Sequence, residues 1–107
     1  MIVLEGDSHR FINGGDGDDV ITLTGHSAYM VSGGYGDDKI TITGNGAYRI
    51  YGGVGDDNIT ITGDNPTYVY GEQDDDTIII TGDASYLSGG ADHDSCSILG
   101  ELSLIHI

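Results

Sequence analysis

Gly33-Gly34-Tyr35-Gly36-Asp37-Asp38-Lys39-Ile40-Thr41-Ile42-Thr43-Gly44-Asn45-Gly46-Ala47-Tyr48-Arg49-Ile50-Tyr51 is one unit of a tandem repeat. Segments of 19 residues starting at Gly14 and Gly52 follow the same frame, as do an 18-residue segment from Gly71 and the start of a fifth at Gly89. In the other direction, Ile2-Val3-Leu4-Glu5-Gly6 falls in register with Ile21-Thr22-Leu23-Thr24-Gly25. The frame thus opens and closes in mid-repeat. A fixed period marks a solenoid, in which no unit can bury its apolar face without its neighbours.

Within the unit, apolar residues alternate with polar ones over Lys39 to Thr43, which predicts a strand with Ile40 and Ile42 on one face. A second short strand is expected around Tyr48 to Tyr51 with Ile50 inward. The turns between them read Gly-Gly-Tyr-Gly-Asp-Asp and Gly44-Asn45-Gly46-Ala47. Apolar residues do not recur at helical spacing, and Gly interrupts every candidate helix. Stacked coils place equivalent residues about 4.8 Å apart along parallel sheets. Three inward ladders follow: Ile2, Ile21, Ile40, Ile59, Ile78 and Cys96; Leu4, Leu23, Ile42, Ile61, Ile80 and Ile98; and, on the opposite sheet, Ile12, Val31, Ile50, Val69 and Leu87. The expected fold is all-β, a parallel β-roll or β-helix of about five 19-residue coils.

Eighteen acidic residues face three basic ones in 107 residues, a net charge of -15. Phosphate binding needs Lys and Arg clusters, so nucleic acid is excluded as a partner, and so is docking on an anionic membrane. No apolar run is long enough to insert into a membrane. Nineteen Gly against one Pro indicates many tight turns. Cys96, the single cysteine, occupies a core ladder position and permits no internal disulfide. No catalytic triad or separate pair of carboxylates stands out, so no enzymatic role is read from these residues.

The sixth turn position is Asp in every unit: Asp19, Asp38, Asp57, Asp76 and Asp94. The fifth is Asp18, Asp37, Asp56 and Asp75, with His93 last. Sixth-position carboxylates stacked roughly 5 Å apart repel by about 3 kcal/mol per neighbouring pair at an effective dielectric near 20. The sum over the row, about 13 kcal/mol, rivals the whole stability of a domain. The fold therefore demands counter-charge at this edge. Oxygen ligands in a flexible arrangement suit Ca²⁺ better than Mg²⁺, which holds its water shell, or Zn²⁺, which prefers His and Cys. Gly at turn positions one, two and four is expected to allow positive φ and to turn carbonyls toward a common point.

GGDGDDVIT, GGYGDDKIT and GGVGDDNIT resemble the nonapeptide G-G-x-G-x-D-x-U-x of repeats-in-toxin (RTX), hemolysin-type calcium-binding repeats. The resemblance covers residues 2 to 100. It implies a right-handed β-roll with up to four Ca²⁺ ions along one edge. Carried onto this chain, the implied metal residues are Gly14, Gly15, Asp16, Gly17 and Asp19; Gly33, Gly34, Tyr35, Gly36 and Asp38; Gly52, Gly53, Val54, Gly55 and Asp57; and Gly71, Gln73, Asp76, Gly89 and Asp94. The family further implies a secreted, extracellular protein exported by type I secretion machinery. The module would fold on Ca²⁺ as a structural spacer beside a toxin, hydrolase or adhesin domain.

Two departures are visible. The other half-coil carries Arg10, Tyr29, Tyr48, Thr67 and Ser85 at the matching position, so calcium is expected on one edge alone. Asp7, Asn45, Asp64 and Asp83 there are read as turn-formers, and His9 and His26 as turn residues without partners. The fourth and fifth turns, Gly71-Glu72-Gln73-Asp74-Asp75-Asp76 and Gly89-Gly90-Ala91-Asp92-His93-Asp94, lose glycines and are expected to hold metal more weakly. Outward Thr pairs (Thr22 and Thr24, Thr41 and Thr43, Thr60 and Thr62) and a Tyr cluster (Tyr29, Tyr48, Tyr51, Tyr68, Tyr70, Tyr86) offer an alternative, an extracellular surface-binding module for ice or glycans. Residues 1–101 read as the repeat domain. The tail, residues 102–107, resembles a translated sequencing adapter, which would make the chain a metagenomic fragment.

Overall fold

A computed structural model describes residues 1–64, 66, 68–100 and 102–106, with residues 84, 85 and 102–106 described through their backbone alone. Thr67, Glu101 and Ile107, named above, lie outside them. The strands are β1 (Ile2–Leu4), β2 (Arg10–Asp16), β3 (Val20–Leu23), β4 (Tyr29–Tyr35), β5 (Lys39–Ile42), β6 (Tyr48–Val54), β7 (Asn58–Ile61), β8 (Tyr68–Gln73), β9 (Thr77–Ile80), β10 (Ala84–Gly90), β11 (Ser95–Ile98) and β12 (Leu102–His106). They alternate between two six-stranded sheets, one ordered β1-β3-β5-β7-β9-β11 and the other β12-β10-β8-β6-β4-β2. Every strand pairing among the described residues is parallel, and the chain is a β-solenoid of about five turns with no helix among the described residues.

Register follows the repeat residue for residue. Ile21 faces Ile40, Ile40 faces Ile59 and Ile59 faces Ile78 on the first sheet. Val31, Ile50, Val69 and Leu87 follow one another on the second. From Ile21 to Leu87 the ladder residues are wholly buried, while Ile2, Leu4, Cys96 and Ile98 in the end coils are only packed against them. The core is one narrow stack of aliphatic side chains, two ladders from the first sheet against one from the second. The glycines Gly25, Gly44, Gly63 and Gly82 close the other turn, each pressed against the carbonyl of the equivalent glycine one coil earlier. A Cβ at Gly100 would lie 2.5 Å from the Gly82 oxygen, so the stacking holds to that point. Beyond it, residues 102–106, set apart from the repeat by their sequence, lie as β12 in parallel register on β10.

One difference from the expected unit is the length of the second strand. β6 runs on through Gly52 and Gly53 to Val54, since Gly53 and Val54 pair in register with the coils on both sides. The first half of each Gly-rich turn is therefore sheet. The outer face of this sheet is aromatic: Tyr29 and Tyr48 stack with centroids 5.1 Å apart, and Tyr51 and Tyr70 at 5.3 Å. Such pairs contribute about 0.5–1.5 kcal/mol each beyond their buried area. On the first sheet Thr22, Thr41 and Thr60 form an outward row bounded by Val3 and Ile79.

Ile59 and Ile79 separate the two faces of one sheet. Ile59→Ala, at 0% exposure, is expected to cost about 2–5 kcal/mol in a denaturant titration of the folded protein. Ile79→Thr, outward and 37% exposed, should shift stability by no more than about 0.5 kcal/mol. Equal effects of the two would contradict the inward and outward assignment.

Candidate metal centre

The Asp at each sixth turn position is drawn under the strand edge instead of standing in solvent: Asp38, Asp57 and Asp76 are only 2%, 2% and 1% exposed. One carboxylate oxygen of each is satisfied. The Asp19 N–H donates to Asp38 Oδ1 at 2.7 Å, Asp38 N–H to Asp57 Oδ1 at 2.8 Å, Asp57 N–H to Asp76 Oδ1 and Asp76 N–H to Asp94 Oδ1, both at 2.9 Å. The other oxygen is not. Oδ2 of Asp19, Asp38, Asp57, Asp76 and Asp94 is buried in every case without a hydrogen-bond partner. A buried, unpartnered carboxylate oxygen is among the most costly groups a fold can hold, and here it recurs on successive coils.

The fifth position does something different. The N–H groups of Asp37, Asp56, Asp75 and His93 donate to Oδ1 of Asp18, Asp37, Asp56 and Asp75 respectively, at 2.8–2.9 Å. These side chains accept from the following coil, whereas the sixth-position side chains accept from the preceding one. Consecutive coils are thus clamped in both directions at this edge. The fifth-position carboxylates remain exposed to water.

The glycines have two distinct causes. Positions two and four carry positive φ, 105° at Gly34, 114° at Gly53, 116° at Gly36 and 125° at Gly55. Position one does not take positive φ, contrary to the expectation from sequence. Its requirement is space: a Cβ on Gly52 would lie 2.6 Å from Asp57 Oδ2 and 2.8 Å from the Gly71 carbonyl oxygen, and Gly14, Gly33, Gly71 and Gly89 are crowded by their own Asp in the same way. The first glycine is the floor against which the orphaned oxygen lies. Residues Asp16, Tyr35, Val54 and Gln73, at position three, pair side by side along the edge. The Val54 carbonyl accepts the Gly36 N–H at 2.8 Å and keeps a second lone pair. In the degraded turns Glu72, Asp74 and Asp92 are forced to φ of 83°, 72° and 73°. Each such residue costs on the order of 1 kcal/mol where Gly would not.

All of the residues carried over from the motif therefore line one edge, in register. Among the described residues no three His, Cys, Asp or Glu side chains converge on a common point. What the edge offers is a carboxylate oxygen per coil beside close-packed backbone carbonyls. The opposite edge carries its own ladder, which the sequence reading missed in part. Asp7 Oδ1 accepts the His26 N–H, His26 Nδ1 accepts the Asn45 N–H and Asn45 Oδ1 accepts the Asp64 N–H, at 2.8, 2.9 and 2.8 Å. His26 is thus a structural acceptor, and His9 Nε2 lies 2.9 Å from the Glu5 carbonyl. Both histidines have partners after all. Comparison with family models, curated proteins and solved structures returns no match.

Burial, and then the neighbouring carboxylates, raise these acids against the opposing backbone donors: Asp38 upward, Asp57 to about 6 and Asp76 to about 7. The folded state thus holds protons that the unfolded chain, titrating near 3.8, releases. Their contribution to stability is fully present below about pH 4 and is lost as pH rises through about 6 to 7. Metal-stripped protein should accordingly show more strand signal by far-ultraviolet circular dichroism at pH 5 than at pH 8. A metal-free strand signal that grows over that interval would contradict the buried placement of Asp57 and Asp76. Separately, Asp74→Gly should raise Tm by a few degrees, the equivalent of about 1 kcal/mol, by relieving its positive φ.

Proposed function

We propose that this chain is a calcium-binding β-roll module of the repeats-in-toxin type, which folds on Ca²⁺ and serves as a structural segment of a larger secreted protein. The observation that carries the reading is the row of buried, unpartnered Oδ2 atoms of Asp19, Asp38, Asp57, Asp76 and Asp94. A cation between successive coils would supply the missing partner for these oxygens and cancel the repulsion along the row. Ca²⁺ suits this donor set because it accepts carboxylate and carbonyl oxygens in variable number and geometry. The residues that would hold it are the sixth-position Asp of neighbouring coils and the backbone of Gly14 to Gly17, Gly33 to Gly36 and Gly52 to Gly55. The strained fourth and fifth turns would hold it less firmly.

The same chemistry supports a switch between compartments. Where calcium is scarce, the carboxylate row opposes stacking and keeps the chain unfolded and suited to type I export. At the millimolar calcium found outside cells, binding free energy is available only to the stacked form and draws the chain into it. The sequence motif and the solenoid support this reading together. Catalysis is assigned to none of these residues.

Far-ultraviolet circular dichroism during titration with Ca²⁺, and in parallel with Mg²⁺, tests the proposal. A cooperative gain of strand signal with Ca²⁺, reversed by chelator and much weaker with Mg²⁺, is expected. Asp57→Asn should shift the calcium midpoint upward by about tenfold or more, through loss of a charged oxygen shared by two coils. A strand spectrum indifferent to chelator would refute the reading.

A further inference from the structure

The opposite end of the aromatic sheet face holds an open groove of about 550 Å³ that the calcium reading does not use. Its walls are Ser8, Arg10, Phe11, Ser27, Tyr29 and Tyr48. Gly46, which stands where Ser8 and Ser27 stand in the earlier coils, leaves the floor open beside Ser27. We propose that this groove binds a carboxylate-bearing oligosaccharide, with the Arg10 and Arg49 guanidiniums taking the carboxylates.

The charge distribution carries the argument. The chain has three basic residues against 18 acidic ones, yet two of the three sit on this face. The Arg10 guanidinium lies over the Tyr29 ring at 5.9 Å and that of Arg49 over the Tyr48 ring at 5.4 Å. Neither forms an ion pair among the described residues. Arg49 also hydrogen-bonds the Tyr48 side chain, and a guanidinium has five N–H donors in a rigid fork, so each keeps enough of them to take a carboxylate through two hydrogen bonds. The rings they lie over, Tyr29 and Tyr48, stack with centroids 5.1 Å apart, so an extended polymer with repeated carboxylates can reach both guanidiniums.

The calcium edge does not cancel this field. Along β6, about 13 Å of strand from Tyr48 to Gly52 separates the groove from the Gly-rich turn, more than the screening length of about 8 Å at physiological salt. The remaining groups of the groove favour a sugar over a peptide. Ser8, Ser27, Tyr29 and Tyr48 bring hydroxyls that can each donate and accept, matching a hydroxyl-rich ligand. Phe11, 72% exposed, presents an aromatic surface that the C–H face of a pyranose can cover. The tyrosines further along the face have their rings stacked on one another, so sugar stacking falls to Phe11 at the end of the array.

Isothermal titration of the intact chain in calcium buffer tests this with an oligomer of glucuronic acid as probe. Saturable binding is expected, weakened about tenfold or more in Arg10→Gln and again in Arg49→Gln, the loss of one charge-assisted pair each. Phe11→Ala should weaken it as well, and the methyl-esterified oligomer should not bind. Arg10→Lys keeps the charge and the aliphatic stem, so its folding is secure, and the loss of the fork alone should weaken binding severalfold. Circular dichroism establishes that each variant keeps its strands. No saturable binding, unchanged binding in the double Arg10→Gln/Arg49→Gln variant, or equally tight binding of polyglutamate would overturn the proposal. Failure of the calcium titration leaves this test intact, because the groove residues lie on the other edge.

Discussion

Stacking identical coils in register forces identical side chains together, and the consequence depends entirely on what they are. Isoleucine on isoleucine buries apolar surface at about 25 cal/mol per Å², and tyrosine on tyrosine adds ring contact. Aspartate on aspartate opposes both. Of the two stacked aspartate rows, the buried sixth-position one is where the symmetry of the repeat works hardest against the fold, and the structure answers only half of the difficulty. Oδ1 of Asp38, Asp57, Asp76 and Asp94 each receives a backbone N–H from the preceding coil, while Oδ2 of these and of Asp19 is left buried and unpartnered. The rest of the molecule is arranged around that unmet demand.

This explains why the acids at the fifth and sixth positions behave so differently although they are adjacent in sequence. Asp56 accepts the Asp75 N–H and stays in water, where its charge is cheap. Asp57, one residue on, is turned beneath the edge against Gly52, where ionisation is opposed by burial and by its neighbours. In the bend between β6 and β7, a single residue step separates a hydrogen-bonding, exposed acid from a buried one whose charge is opposed. The bare edge and the edge with a counter-ion thus follow opposite pH dependences, since a cation competes with protons for the same oxygens.

The sheets, their register and the core were legible because period-2 alternation and a 19-residue repeat leave one consistent stacking: Ile21, Ile40, Ile59 and Ile78 have no other place to go. The acid row was legible for the same reason. What the sequence did not disclose is which atoms of a turn do the work. A glycine required for positive φ and one required for space look alike in a sequence, and Gly52 proved to be of the second kind. His26 was read as unpartnered because a lone His among Asp7, Asn45 and Asp64 breaks the residue type, while its Nδ1 preserves the role of acceptor. Its signal lay in position, since it occupies the same slot of the repeat as Asp7 and Asn45.

The two edges of the roll show that a solenoid can hold coils together by different means at each side. On one edge the acceptors Asp7, His26 and Asn45 are mixed in charge and each is matched to an N–H one coil on, and among the described residues no buried side-chain oxygen or nitrogen there lacks a partner. On the other they are aspartates throughout, and matching the N–H groups still leaves an oxygen over on every coil. Under the proposed calcium reading, the uniform edge makes stability conditional on a cation from the surroundings, and the mixed edge does not. A chain with both can keep its register set by one side while the other decides whether the stack forms at all. The degraded turns at Glu72, Asp74 and Asp92 then have a natural consequence. Positive φ without Gly makes the later coils the weakest part of the conditional edge, so folding should spread from the coils of Gly14, Gly33 and Gly52 toward them.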